Sequence, residues 1–324
     1  MPRSSARSSF PDVLPTRSIR RVRRATITAI AVASALLATP MTAGAEPLPV
    51  PYDLGHALAI GLVQPTVAPP GANNPTCRLT PEHPRPVVLV NGTSGNMRAN
   101  WDTLSPLLRN QGYCVYTFNT GGAPGSPVQT IGPIQDSASA LGRVVEDVVS
   151  ATGAQQVDLV GHSQGGTIAR YYTNKLGGAA RVHELIGVAP GSHGVTASNL
   201  ISLYRSLGLY PLYTVFVNAI GCASCEQQAQ DSSFIADLNR GGDTVPGPHY
   251  TVIVSESDEF STPYTDAFLD GPATTNIVVQ DGCPANHVGH LQLVTDRRTS
   301  VLVLNALDPD HAVPVPCYPE AWLG

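Results

Sequence analysis

The sequence predicts an α/β fold, a mainly parallel sheet with helices on both faces. Three observations carry that expectation: short unbroken apolar runs rich in β-branched residues, amphipathic stretches between them, and a regular alternation of the two. Composition allows it. Of 324 residues, 42% are hydrophobic and only 13% charged, enough apolar side chain for a substantial core.

Residues 1–45 read as a signal peptide to be set aside before the fold. A basic region ends in Arg20-Arg21-Val22-Arg23-Arg24, an apolar run follows from Ala25 to Leu37, and Ala43-Gly44-Ala45 fits a small-residue cleavage site. The run is short for a membrane anchor, so the expectation is cleavage near Ala45 and a secreted protein. Residues 46–85, rich in Pro, Gly and Ala and without a sustained period, read as an extended N-terminal arm. The folded domain is expected over 86–324.

Val87 to Val90 is apolar throughout, as a strand buried on both faces should be. Asn91-Gly92-Thr93-Ser94-Gly95 forces a turn. A helix over Trp101 to Asn110 and a strand over Cys114 to Asn119 complete one βαβ unit. From 134 to 152, Ile134, Ala138, Leu141, Val145, Val148 and Val149 recur at helical spacing, with Gly153 just past the end. Val157 to Val160 is the next strand, 165 to 176 a helix, and His183 to Val188 another strand. Strands return at Tyr250 to Ser255 and Asn276 to Gln280, and a helix closes the pattern at Ser300 to Leu307. Between 192 and 242 the alternation breaks into a crowd of Leu, Tyr, Val and Phe. That stretch is either core-packing helix or a cap (lid insertion) whose apolar face lines a pocket.

Six cysteines, at 77, 114, 222, 225, 283 and 317, are an even number in a chain expected to leave the reducing cytosol. Taken as consecutive pairs they give Cys77 with Cys114, Cys222 with Cys225, and Cys283 with Cys317. Spacing alone does not choose among the fifteen connectivities.

Chemistry concentrates at Gly161-His162-Ser163-Gln164-Gly165. This G-x-S-x-G sits directly after an apolar strand and before a helical stretch, where a strained turn lifts a serine hydroxyl clear of the sheet; in that setting it predicts the α/β-hydrolase fold with Ser163 as nucleophile. A serine hydroxyl is a weak nucleophile, so it needs a histidine base, and the base needs a carboxylate to hold its tautomer. The chain order in this fold is Ser, acid, His. Asp258 lies just past the strand at 250 to 255, with Glu256, Glu259 and Asp266 as rivals. For the base, His287 and His290 follow the next strand and His311 lies near the chain end; spacing barely separates the first two. The oxyanion hole needs two N–H donors, and Gln164 and Thr93 are the candidates, with the Thr93 hydroxyl able to add a third bond.

Several classes are excluded or uncalled for. The net charge of −5, with no Lys/Arg cluster after residue 24, argues against a nucleic-acid partner. No H-E-x-x-H and no G-x-G-x-x-G between strand and helix appears, so no metal and no cofactor is called for. The sequence assigns no oligomeric state.

The chain resembles the class 2 bacterial lipases, and more distantly the fungal lipase B type, from about Cys77 to Leu307. The resemblance rests on Val90-Asn91-Gly92-Thr93, Asn100-Trp101, Gly112-Tyr113-Cys114, Gly161 to Gly165, Ser257-Asp258-Glu259, Thr262-Pro263-Tyr264, Cys283-Pro284 and His290-Leu291. It implies Asp258 as the acid and His290 as the base. Many members carry His where this chain has Asn91. The expected function is a serine ester hydrolase (lipase or esterase) on a small-molecule or lipid ester substrate, with transient contact at a lipid interface. A secreted acyltransferase with the same triad, and a non-catalytic binding module on the same fold, are the alternatives.

Overall fold

The computed structural model describes residues 46–196 and 221–322, and between them Pro211, Leu212, Val215 and Ala219. The signal-peptide reading of 1–45 and the centre of the cap reading of 192–242 lie outside the described residues.

Six strands form one parallel sheet in the order β2-β1-β3-β4-β5-β6. They are β1 Val87–Val90, β2 Val115–Thr117, β3 Val157–His162, β4 Val182–Val188, β5 His249–Val254 and β6 Thr274–Val278. The eight helices used below, in chain order, are α1 Leu54–Val63, α2 Met97–Trp101, α3 Leu104–Asn110, α4 Ile134–Thr152, α5 Gln164–Lys175, α6 Ala223–Gln227, α7 Ser233–Leu238 and α8 Arg297–Leu307.

The apolar runs of the sequence split between the two faces by the strand period of two. Val88 and Val90 of β1 point into one core with Ile134, Leu141 and Val145 of α4 and Ile168 of α5. Val87 and Leu89 point into the other with Trp101, Leu104 and Leu108 of α2 and α3 and Leu302 and Val303 of α8. A strand read on both sides has no room for alternation, which is why these runs are continuous.

The sequence reading put one helix at 101–110; the structure breaks it at Asp102–Thr103 into α2 and α3. A larger correction concerns the arm. Residues 46–85 contain α1, capped by Asp53, whose Oδ1 accepts the His56 N–H at 2.8 Å. Leu54, Ala57, Leu58, Ile60 and Leu62 leave α1 apolar on most sides, so it shows no amphipathic stripe. The rest of the arm is ordered by other elements: Asn96, Arg98, Thr103, Ser105 and Asn119 donate to the carbonyls of Gly61, Ala68, Pro51, Pro70 and Pro65. A proline-rich strap held through its carbonyls needs no periodic side chains of its own.

All three cysteine pairs form as read, Cys77–Cys114, Cys222–Cys225 and Cys283–Cys317.

Candidate active site

Everything at the site follows from the carboxyl ends of β1, β3 and β5 opening on one side of the sheet, where helix N-termini begin. Ser163 stands between β3 and α5 with φ 53° and ψ −124°, a conformation costly for a residue with a Cβ. Packing enforces it. The Ser163 N–H is held by the Val188 carbonyl at 2.9 Å, and α5 passes so close to β1 that a Cβ on Gly165 would come within 2.0 Å of the Val90 carbonyl oxygen. No residue but glycine fits there.

His290 Nε2 lies 2.9 Å from Ser163 Oγ, and its Nδ1 lies 2.7 Å from Asp258 Oδ2. Both His290 and Asp258 are buried. The other Asp258 oxygen accepts the backbone N–H groups of Phe260 and Ser261 at 2.8 Å each. Burial works to raise the Asp258 carboxyl, but the charge and hydrogen bond of His290 and these two amides outweigh it and hold the carboxyl below the usual aspartate range. The loops that carry Asp258 and His290 are tied through Gln280, whose Nε2 donates to Ser255 Oγ at 2.9 Å and to the Asn286 carbonyl at 2.8 Å.

The rival residues lie elsewhere. Glu256 and His287 are exposed, and the His287 N–H goes to the Glu320 carbonyl. Asp266 accepts from Gln230, and exposed His311 pairs with Asp308. Glu259 has a supporting part: its carboxylate accepts the His290 backbone N–H at 2.9 Å.

Thr93 and Gln164, the two candidate amide donors, also meet here, with Thr93 Oγ1 3.0 Å from Gln164 Oε1. Gln164 is the first residue of α5, so its N–H is one of those an α-helix leaves without an intrahelical acceptor. Gly92 must be small: a Cβ there would stand 3.0 Å from His162 Nδ1 and 3.1 Å from Ser163 Cβ.

Sequence reasoning missed a chain of hydrogen bonds that ties these loops together. The Gly92 N–H donates to Asn100 Oδ1 at 3.1 Å, the Asn100 amide meets His162 Nδ1 at 2.9 Å, and His162 Nε2 meets the His290 carbonyl at 3.2 Å. A carbonyl only accepts, so the His162 proton is on Nε2 and Nδ1 accepts from Asn100. Burial, and then the charge of His290, push His162 down to about 3, which keeps it neutral. Asn91 is similarly employed: its Oδ1 accepts from Trp101 Nε1 at 2.9 Å and its Nδ2 donates to the Phe118 carbonyl at 3.1 Å.

Beside Ser163 opens a cavity of about 330 Å³ whose apolar wall includes Leu54, Leu58, Val195, Phe260, Leu291 and Val294. Two of these come from α1, so the segment read as a loose arm builds part of the pocket. Among the described residues no cluster of His, Cys, Asp or Glu is arranged to hold a metal ion.

Comparison with known proteins adds a family and a fold. A model of the lipase (class 2) family matches residues 84–302. A triacylglycerol lipase of Pseudarthrobacter phenanthrenivorans is 36% identical over 91 residues, 26% of this chain and 27% of that protein. One from Burkholderia plantarii is 36% identical over 91 residues, 26% of this chain and 24% of the other. The chain thus spans about a quarter of the length of these curated relatives. Among solved structures, Aspergillus fumigatus lipase B superposes with a TM-score of 0.57 at 18% identity, covering 79% of this chain and 58% of that one. The mature form of a Bacillus licheniformis lipase gives 0.51 at 15% identity, covering 72% and 96%. At such identities the likeness is one of fold, and the fold is the α/β-hydrolase fold expected from the sequence.

Proposed function

The chain belongs to the class 2 lipase family, and from that premise we propose that it is a serine ester hydrolase acting on acyl esters, triacylglycerols or shorter esters among them. The observation that carries this reading is the continuous contact from Ser163 Oγ through His290 to Asp258, at 2.9 and 2.7 Å. His290 Nε2 takes the Ser163 proton as Oγ attacks the ester carbonyl. Asp258, kept ionised, holds the Nδ1 proton and stabilises the imidazolium. Charge on the carbonyl oxygen is met by the N–H groups of Thr93 and Gln164, and His290 then returns its proton to the leaving alcohol. Water, activated by the same imidazole, cleaves the acyl-Ser163 intermediate and frees the acid.

The apolar wall beside Ser163 suits an acyl chain. Leu58, Phe260 and Leu291 line the cavity and are also exposed, which supports transient contact with a lipid surface. Export belongs to the same proposal. It is supported by the three disulfides and by the signal pattern of residues 1–45, and among the described residues no helix is long and apolar enough to cross a membrane.

The test is turnover of p-nitrophenyl esters from acetate to palmitate, with labelling by a fluorophosphonate. Wild type should hydrolyse and label; Ser163→Ala should do neither. An unlabelled wild type that turns over no ester would overturn the proposal, and acyl transfer to an added alcohol in preference to water would redirect it to a transferase.

A further inference from the structure

Thr93 meets a second glutamine that no motif points to. Gln228, at the C-terminal end of α6, is buried and places Nε2 3.0 Å and Oε1 3.3 Å from Thr93 Oγ1. The same Nε2 donates to the Ser224 carbonyl at 3.2 Å. Because a carbonyl only accepts, the Ser224 contact fixes which end of the Gln228 amide is NH2; that group donates to Thr93 Oγ1, and Oε1 is a longer acceptor for the Thr93 proton.

A hydroxyl has one proton and two lone pairs. Gln228 occupies one lone pair. On the other side, the Thr93 hydroxyl donates to Gln164 Oε1 at 3.0 Å, while Gln164 Nε2 is buried with no hydrogen-bond partner among the described residues. Turning that amide by 180° hardly moves its atoms. It brings Nε2 onto the second lone pair and leaves a carbonyl oxygen unpaired in place of an N–H, the less costly orphan. With both lone pairs filled by amides, the Thr93 proton is shared between Gln228 Oε1, at 3.3 Å, and the cavity that Thr93 and Gln228 both line, where an oxyanion is the stronger acceptor.

We propose that Gln228 is a positioning residue of the oxyanion hole: together with Gln164 it orients the Thr93 hydroxyl so that its proton meets the developing oxyanion. This rests on the serine-hydrolase reading above. Gln228 is itself held from outside. With only five residues, α6 cannot sustain itself. The Cys222–Cys225 disulfide closes it, and Ser224 anchors it through its Oγ to the Thr130 carbonyl and its N–H to the Ile131 carbonyl, both at 3.1 Å. The Cys-x-x-Cys of the sequence thereby acquires a place next to the chemistry.

The experiment is a double-mutant cycle on p-nitrophenyl butyrate. Removing one oxyanion donor costs about 10²- to 10³-fold in kcat; Thr93→Val, which deletes the hydroxyl, should lower kcat by about 10²-fold, and Gln228→Met, which only leaves it unoriented, by about tenfold, each with KM changed less than about twofold. In the Thr93→Val background, Gln228→Met should cost nothing more, because the hydroxyl it orients is gone. In the Thr93→Ser background, which keeps a hydroxyl, it should again cost about tenfold. Losses that multiply in Thr93→Val, or a rise in KM with kcat unchanged, would overturn the proposal. Should Gln228→Met fail to fold, Gln228→Asn withdraws the donor by one methylene and must show the same coupling. A wild type without turnover would sink the hydrolase reading instead, so the two failures are told apart.

Discussion

Both ends of the sheet bury carboxylates next to histidines, and only one of them carries the candidate site. At the carboxyl ends of the strands stand Asp258, His290 and Ser163. Toward the amino ends, Asp158 of β3 accepts from Arg85 Nε at 3.2 Å, from the Glu184 N–H at 3.1 Å, and meets His183 Nδ1 at 3.1 Å. Glu184 of β4 accepts from Thr251 Oγ1 at 2.8 Å and faces His249 at 3.8 Å. The ingredients match and the surroundings differ. A strand that runs into a helix at its carboxyl end meets that helix's free N–H groups, the positive end of its dipole, and a turn tight enough to project a serine. The end where helices finish offers carbonyls, which repel an oxyanion. His–carboxylate contact alone is therefore not a signature of catalysis; the polarity of the βα unit beneath it decides.

The comparison breaks most visibly at the triad. Ser163→Ala, His290→Ala and Asp258→Asn should each lower kcat/KM by about 10³-fold or more. His287→Ala, at an exposed side chain, should stay within about twofold. Equal losses at His287 and His290 in an ester assay would mean that the wrong imidazole has been assigned as base.

Asn100→Ala should have the next largest effect on turnover. It strips the partner from the Gly92 N–H and from His162 Nδ1, both buried, so stability should fall by about 1–3 kcal/mol in urea unfolding. The loop of Gly92 and Thr93 loses its tether to β3, and kcat should drop by about tenfold. The shape of the activity–pH profile should not change, because burial keeps His162 neutral far above its pKa of about 3. A shifted profile would show that His162 titrates in the working range.

How far the sequence went depends on where each signal sits. The sheet was legible because β1 is an unbroken apolar run and β3 and β4 are short, largely apolar stretches at regular spacing, and Ser163 because its turn requires glycines at fixed offsets. Asp258 and His290 were each one of several candidates by spacing; the family resemblance, not their neighbourhood, separated them from Glu259 and His287. Gln228 was beyond reach, since it meets Thr93 across 135 residues of chain and belongs to no local pattern. The arm escaped for two other reasons: α1 is apolar on most sides and so shows no stripe, and the residues around it are ordered through their carbonyls by Arg98, Thr103, Ser105 and Asn119. Asn91 shows the reverse, a visible departure from the family's histidine whose consequence, a bridge from Trp101 to Phe118, needed coordinates.

The gentlest test sharpens the comparison without touching turnover. Burial first, and then the charge of Asp158, push Glu184 from 4.5 up to about 7 against the opposing Thr251 hydrogen bond, His183 and Arg85. The folded chain therefore holds a proton that the unfolded chain gives up from about pH 4.5. Its stabilising contribution is complete below 4.5 and is lost as pH rises through about 7. At about 1.36 kcal/mol per pH unit, the displacement is worth on the order of 3 kcal/mol. His162 works with the opposite sign: held near 3 against an ordinary 6.5, it costs stability as pH falls below 6.5. The two slopes overlap in wild type and separate in a variant. Glu184→Gln should lack this decline, so that the wild-type-minus-variant difference in unfolding free energy falls between pH 4.5 and 7, while ester hydrolysis stays within about twofold. A flat wild-type-minus-variant difference across that window would mean that Glu184 is ionised in the fold, and that the buried carboxylates at the two ends of the sheet are chemically alike after all.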